Sequence, residues 1–142
     1  MNFAMTGGQV APTTPEESKT MTTPYGSGEP RFDVCALALA AGASHVERWT
    51  TAQPQQCKMA MERALRHKGF SLIEIISQCP THYGRYALKT GDPVKVMEYI
   101  QENTYMKERG AAMSAEEKEG KLALGQFICE DKPIYEGTNM PL

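Results

Sequence analysis

Phe70-Ser71-Leu72-Ile73-Glu74-Ile75-Ile76 is the stretch on which the fold class turns. It is apolar almost throughout and rich in β-branched residues. Such a run suits a parallel strand covered on both faces, because an antiparallel strand with one wet face alternates polar and apolar residues. It is followed by Ser77-Gln78-Cys79-Pro80-Thr81, which reads as a turn. Glu74 interrupts the apolar run, so it needs a partner or a strand-edge position; a functional carboxylate is the other reading.

Upstream, Pro54 suits a first helical position. Cys57, Ala60, Met61, Ala64 and Leu65 then recur with helical spacing and predict one apolar stripe. Lys58, Glu62, Arg63 and Arg66 fall on the other face, and Gly69 ends the helix. His45-Val46-Glu47-Arg48-Trp49-Thr50 reads as a short strand. Before it, Asp33 caps a helix reaching about Ala41. That helix is apolar nearly all round, with Val34, Cys35, Leu37 and Leu39, which predicts burial. Downstream, Asp92-Pro93 starts another helix with Val94, Met97 and Ile100 inward. Ser114-Ala115-Glu116-Glu117 is a capping box, and residues 122–129 read as a last strand. Alternating helices and strands predict an α/β fold with a parallel sheet and flanking helices. Ligands of such sheets bind outside the carboxyl ends of the strands, where Cys79 lies.

The other distinctive stretch is Met1-Asn2-Phe3-Ala4-Met5-Thr6-Gly7-Gly8-Gln9. Consecutive glycines let the backbone take positive φ and approach a ligand closely. Successive N–H groups in that geometry form an anion-binding concavity, to which a threonine hydroxyl adds a donor. A flexible terminus is the competing reading. Residues 6–30 are rich in Thr, Gly and Pro without periodicity, which marks a functional loop or disorder. The chain therefore divides into a cofactor-loop segment at 1–30, an α/β core at 31–106, and a helix-strand extension at 107–142.

The 142 residues make room for one domain. With 15 basic and 17 acidic residues the net charge is −2, and no basic block favours nucleic acid. No apolar run reaches the roughly 18 residues of a membrane helix, and no secretory signal opens the chain. Cysteines at 35, 57, 79 and 129 form no Cys-x-x-Cys pair, which points to a reducing cytoplasm. Cys35, Cys57 and Cys129 lie in apolar elements and are expected in the core. His45, His67 and His82 lack metal-ligand spacing. His67 is expected solvated near a helix end, and His82, just past Cys79, beside that cysteine's site.

Several separated motifs resemble one family at once. Asn2-Phe3-Ala4-Met5-Thr6-Gly7-Gly8-Gln9-Val10-Ala11-Pro12-Thr13-Thr14-Pro15 resembles the thiamine-diphosphate-binding β subunit of 2-oxoacid:ferredoxin oxidoreductases. Thr23-Pro24-Tyr25-Gly26, Ala40-Ala41-Gly42-Ala43 and Ser77-Gln78-Cys79-Pro80-Thr81 agree in order and spacing. Met113-Ser114-Ala115-Glu116-Glu117-Lys118, Gly120-Lys121 and Gly125 resemble the tail of the 2-oxoglutarate type.

The resemblance implies a thiamine-diphosphate-binding fold and the oxidative decarboxylation of 2-oxoglutarate to succinyl-CoA, with electrons passing to ferredoxin. It makes Asn2, Met5, Thr6, Gly7, Gly8 and Gln9 cofactor-binding residues. Asn2 supplies a backbone oxygen to magnesium, and Cys79 is the fourth ligand of a [4Fe–4S] cluster. It implies no catalytic side chain here, since the activating glutamate belongs to the partner α subunit. The family's N-terminal half carries three cluster cysteines, a Gly-Asp-Gly motif and an Asn-Asn pair, none of which stands in this sequence. The expected partners are that half, an α subunit, ferredoxin and coenzyme A. A branched-chain or other 2-oxoacid enzyme, or a non-catalytic interaction module, is the alternative. With about three strands the sheet leaves open edges, which predicts completion by a partner or self-association.

Overall fold

A computed structural model describes residues 2–133; Met1 and residues 134–142 of the C-terminal extension lie outside the described residues. The elements run α1 (Val34–Ala40), β1 (His45–Thr50), α2 (Pro54–Arg66), β2 (Ser71–Ile76), a π-helical turn (Pro80–Gly84), α3 (Pro93–Glu102), β3 (Thr104–Met106), α4 (Lys107–Gly110), α5 (Ala115–Lys118) and β4 (Leu122–Cys129). Four strands form one sheet in the order β2-β1-β4-β3.

The α/β class holds, with a refinement of strand direction. β1 and β2 pair in parallel from His45–Ser71 to Thr50–Ile76, and β3 and β4 also pair in parallel. β4 runs antiparallel to β1, with a bulge between Val46 and Glu47. The sheet is therefore mixed. The three-residue β3 follows directly from α3 and carries no periodicity long enough to read.

Charge distributes unexpectedly across these elements. All six residues of β1 are buried, including His45, Glu47 and Arg48. β2 is instead the edge strand and only half-buried over most of its length. One core cluster joins Cys35, Ala38, Ala43 and Val46; another joins Trp49, Cys57 and Ala60.

Several expected faces turn out otherwise. On α2, Cys57 and Ala60 are buried, but Met61 and Leu65 face solvent, Leu65 at 87% exposure. The helix packs on β1 and β2 along one side of its stripe, where Cys57 and Ala60 are buried and Ala64 half-buried, and Met61 and Leu65 fall on the open side. Arg63, expected on the solvated face, bends back to Glu47. On α3 the buried residues are Val96 and Ile100, and Val94 is exposed. Leu37 of α1 is exposed, so that helix is covered on one side only. Cys129 is exposed because it ends β4 at the sheet's rim. His67 is half-buried, with Nε2 at 2.8 Å from Ser44 Oγ. The caps behave as read: Asp33 accepts from Ala36 N–H, Asp92 from Val94 N–H, and Ser114 with Glu117 completes the capping box. No helix among the described residues is long and apolar enough to cross a membrane.

Candidate functional site

A cavity of about 400 Å³ opens beyond the carboxyl end of β2. Its wall includes Glu74, Ile75 and Ile76 of the strand, then Ser77, Gln78 and Cys79 of the turn. Asn2 and Ala4 enter from the N-terminal segment, Arg31 precedes α1, Tyr99 and Ile100 come from α3, and Asn103 caps that helix. Asn2 and Ala4, which lead into the glycine pair, thus meet Cys79 at one rim across more than 70 residues of sequence. Ile76 and Gln78 fix the strand end, since Thr51 N–H donates to Ile76 O at 3.0 Å and the Thr51 hydroxyl donates to Gln78 Oε1.

The N-terminal segment is a tight reversal. Phe3 N–H donates to Gln9 O at 3.0 Å, and Gly8 N–H donates to Phe3 O at 2.8 Å. Gly7 and Gly8 sit at φ +114° and +84°, which residues with a Cβ rarely adopt. Sterics exclude a side chain at Gly8 as well: a methyl group there would lie 2.9 Å from His82 Nδ1. His82 therefore packs directly on the reversal, three residues after Cys79, with its ring stacked on Tyr86. The Thr6 hydroxyl donates to Gln9 Oε1 at 2.6 Å, and Gln9 Nε2 donates to Thr6 O at 2.9 Å. Thr6 and Met5 face solvent, Met5 fully. Of the expected loop residues, Asn2 alone lines the cavity.

Unsatisfied polar atoms concentrate here. Among the described residues Asn2 Oδ1 and His82 Nδ1 are buried without a hydrogen-bond partner; the other such atom is His45 Nδ1 in β1. Buried polar atoms are normally paired, so each marks a place where a ligand or water completes the structure.

Behind the wall lies an ion network that pattern reading missed. Arg48 Nε donates to Glu74 Oε2 at 2.6 Å, and Arg48 Nη2 pairs with Asp33 Oδ1. The Cys35 thiol also donates to Glu74, at 3.4 Å. Burial, only partly offset by Arg48, pushes that thiol up to about 12, so Cys35 stays protonated. Glu74 is thus held from behind by a buried guanidinium. Its strand-edge position was read correctly; its partner, 26 residues upstream, carries no local signal. A second network centres on Glu47. Its burial opposes charge, but donors from Arg63, Trp49 and His45 prevail and bring its pKa down to about 2. Arg63 contacts both carboxylate oxygens, at 2.8 and 2.7 Å. Glu47, Arg48 and Arg31 were not singled out in the sequence, because their roles arise only from long-range contacts.

Among the described residues, no group of three or more His, Cys, Asp or Glu is placed to hold a metal ion. Cys35 and Cys57 are buried in the two core clusters and Cys129 ends β4, so Cys79 is the only cysteine on the cavity.

A family profile described as the thiamine pyrophosphate enzyme C-terminal TPP binding domain matches residues 1–75. The chain is 44% identical over 133 residues to 2-oxoglutarate synthase subunit KorB of Methanocaldococcus jannaschii, covering 94% of this chain and 49% of that protein. It is 46% identical over 101 residues to the subunit of the same name from Archaeoglobus fulgidus, covering 71% of this chain and 36% of that one. A solved structure of 2-oxoglutarate:ferredoxin oxidoreductase from Magnetococcus marinus, with 2-oxoglutarate, coenzyme A and succinyl-CoA bound, superposes with a TM-score of 0.71 at 26% identity. That match covers 93% of this chain and 45% of the other. The chain spans about half the length of the curated relatives it matches. The profile takes in the glycine reversal, β1, α2 and nearly all of β2, and over that span the chain belongs to the thiamine pyrophosphate enzyme family, as its C-terminal TPP-binding domain.

Proposed function

We propose that this chain forms part of the thiamine diphosphate site in the β subunit of a cytoplasmic 2-oxoglutarate:ferredoxin oxidoreductase. The reaction is oxidative decarboxylation of 2-oxoglutarate to succinyl-CoA with reduction of ferredoxin. The observation that carries this reading is the meeting of the glycine reversal with the Cys79 turn on one cavity, in a chain 44% identical to 2-oxoglutarate synthase β subunits.

The residues present fit part of the cofactor. The adjacent glycines free backbone for close approach to a diphosphate. Asn2 brings to the cavity an oxygen without a partner, and magnesium takes oxygen ligands. Met5, Thr6, Gly7, Gly8 and Gln9 complete the loop proposed to line the diphosphate and thiazolium. When bound, thiamine diphosphate supplies the electron sink that lets a 2-oxo acid lose CO₂. The chain's own contribution is positioning. His82 buttresses the reversal, and Arg48 holds Glu74 in the wall. The remaining magnesium ligands are proposed to come from sequence outside these 142 residues, in the same polypeptide or another.

The fit to an iron–sulfur cluster is narrower. Cys79 offers one thiolate where such a cluster usually takes four. No step is assigned through it. Cys79 is proposed as one ligand, with its companions on another segment. The open edge of β2 supports a partner that continues the sheet, which we assign to the remaining β-subunit sequence. An α subunit, ferredoxin and coenzyme A complete the proposed assembly.

The test is reconstitution with the α subunit and the rest of the β-subunit sequence. Ferredoxin reduction dependent on 2-oxoglutarate and coenzyme A, lost without thiamine diphosphate, is expected. An assembly that forms yet reduces ferredoxin with no 2-oxo acid would overturn the reading and leave an interaction module.

A further inference from the structure

The hydrogen bonds around the cavity leave few polar side chains unspent. Gln78 Oε1 accepts from Thr51, and Asn103 Nδ2 donates to Tyr99 O at 2.8 Å. The Thr104 hydroxyl donates to Ile100 O at 2.9 Å. Glu74, the sole acid on this wall, has its charge compensated by Arg48. Arg31 is different. It is the sole cation among the lining residues, half-buried, and has no carboxylate partner among the described residues. Its Nη2 donates to the carbonyls of Gly120 and Lys121, each at 3.2 Å. Nε and Nη1 have no partner there.

From this we infer that Arg31 receives the distal carboxylate of a 2-oxo dicarboxylic acid bound in the cavity, and so selects 2-oxoglutarate over monocarboxylic 2-oxo acids. The inference rests on the proposed function and adds its specificity determinant. Both parallel forks of a guanidinium include Nη2, which the two carbonyls occupy, so the carboxylate is met by the N–H donors of Nη1, in a hydrogen bond strengthened by the charge. Two carbonyls already hold Nη2, so less side-chain freedom is lost on binding. A cavity of about 400 Å³ suits a five-carbon diacid. Coenzyme A is far too large to enter whole. The carbonyls come from Gly120 and Lys121, which gives that pair in the tail a part in the site.

A guanidinium also accepts phosphate, so the experiment separates the two. The reconstituted enzyme is assayed with 2-oxoglutarate and with 2-oxobutyrate, which lacks the second carboxylate. Arg31→Met is expected to lower kcat/KM for 2-oxoglutarate by roughly 100-fold, mainly through KM, by loss of a charge-assisted hydrogen bond. The 2-oxobutyrate value should stay within about threefold, and Arg31→Lys should recover part of the loss. Calorimetry on the same assembly should find glutarate binding in the wild type, absent in Arg31→Met and not displaced by inorganic phosphate. Equal losses with both substrates, a selective rise in the KM for coenzyme A, or glutarate binding that survives in Arg31→Met would each overturn the assignment. If Arg31→Met fails to assemble, Arg31→Lys decides through the ratio of the two substrates. Should the wild-type assembly oxidise no 2-oxo acid, the functional reading fails separately, and glutarate binding alone decides Arg31.

Discussion

β1 and the glycine reversal near residues 3–9 both hold polar groups away from water, and they treat them in opposite ways. In β1 the buried charges find partners inside the chain: Arg48 has Glu74 and Asp33, and Glu47 has Arg63, His45 and the Trp49 indole, with His45 Nδ1 alone left over among the described residues of the strand. At the reversal, Asn2 Oδ1 and the neighbouring His82 Nδ1 are buried and unpaired. Because a buried polar atom without a partner is costly, the first arrangement fixes structure and the second awaits a ligand. Scaffold and site differ here in how nearly hydrogen bonding closes on itself: the carboxylate and guanidinium of β1 are paired, and His45 Nδ1 is the exception in that strand.

The comparison breaks most readily at Arg48. Arg48→Met leaves Glu74 and Asp33 without their cation and is expected to cost about 3 kcal/mol, since removing one side of a buried ion pair strands the other. Urea unfolding followed by fluorescence of Trp49, the single tryptophan, measures it. An effect under about 1 kcal/mol would mean that β1 is not the closed network described.

Glu47 sharpens the same point through pH. Its pKa is lowered in the fold from 4.5 to about 2. A depressed carboxylate pKa stabilises the fold above the unfolded value, and that contribution is lost as protonation proceeds. Stability should therefore fall between pH 4.5 and about 2. Glu47→Gln should flatten that slope and cost about 2 kcal/mol at pH 7. Unfolding midpoints across that window, in wild type and variant, decide it.

At the reversal the expected damage is to binding more than to stability. Gly8→Ala meets both an unfavourable φ and the His82 ring, a strain of about 1–2 kcal/mol. Thiamine diphosphate affinity of the assembled enzyme should drop about tenfold, measured by equilibrium titration. His82→Ala should relieve the steric part of that loss in the double variant, and full additivity would show that the two residues are uncoupled.

The smallest effect should come from a feature remote from both regions. Ser114→Ala removes the capping box of α5 and should cost about 0.5–1 kcal/mol by thermal unfolding, with cofactor affinity unchanged.

Local signals were legible and long-range ones were not. Residues 45–50 and 122–129 could be read as strands, and Asp33, Asp92 and Ser114 as caps, because each depends on its own few neighbours. The direction of β4 against β1 depends on pairings between residues 77 to 84 apart, such as Arg48 with Gly125 and His45 with Cys129, which no local pattern records. Met61 and Leu65 fit a helical stripe, yet Cys57 and Ala60 are buried and Ala64 half-buried while those two are exposed. Periodicity marks a broad face but not which side of it the sheet covers. At the site, the glycine pair and Cys79 stood out by residue type. Arg31 and Arg48 became visible only once the fold set Gly120, Lys121 and Glu74 beside them.

The antiparallel pairing of β1 with β4 also sets a timetable for synthesis. His45 sits opposite Cys129, so the middle of the sheet lacks one of its neighbours until residue 129 has been made. Through that interval an ion-rich strand has a free flank, and nascent chains stalled before residue 122 should be the ones most readily captured by chaperones.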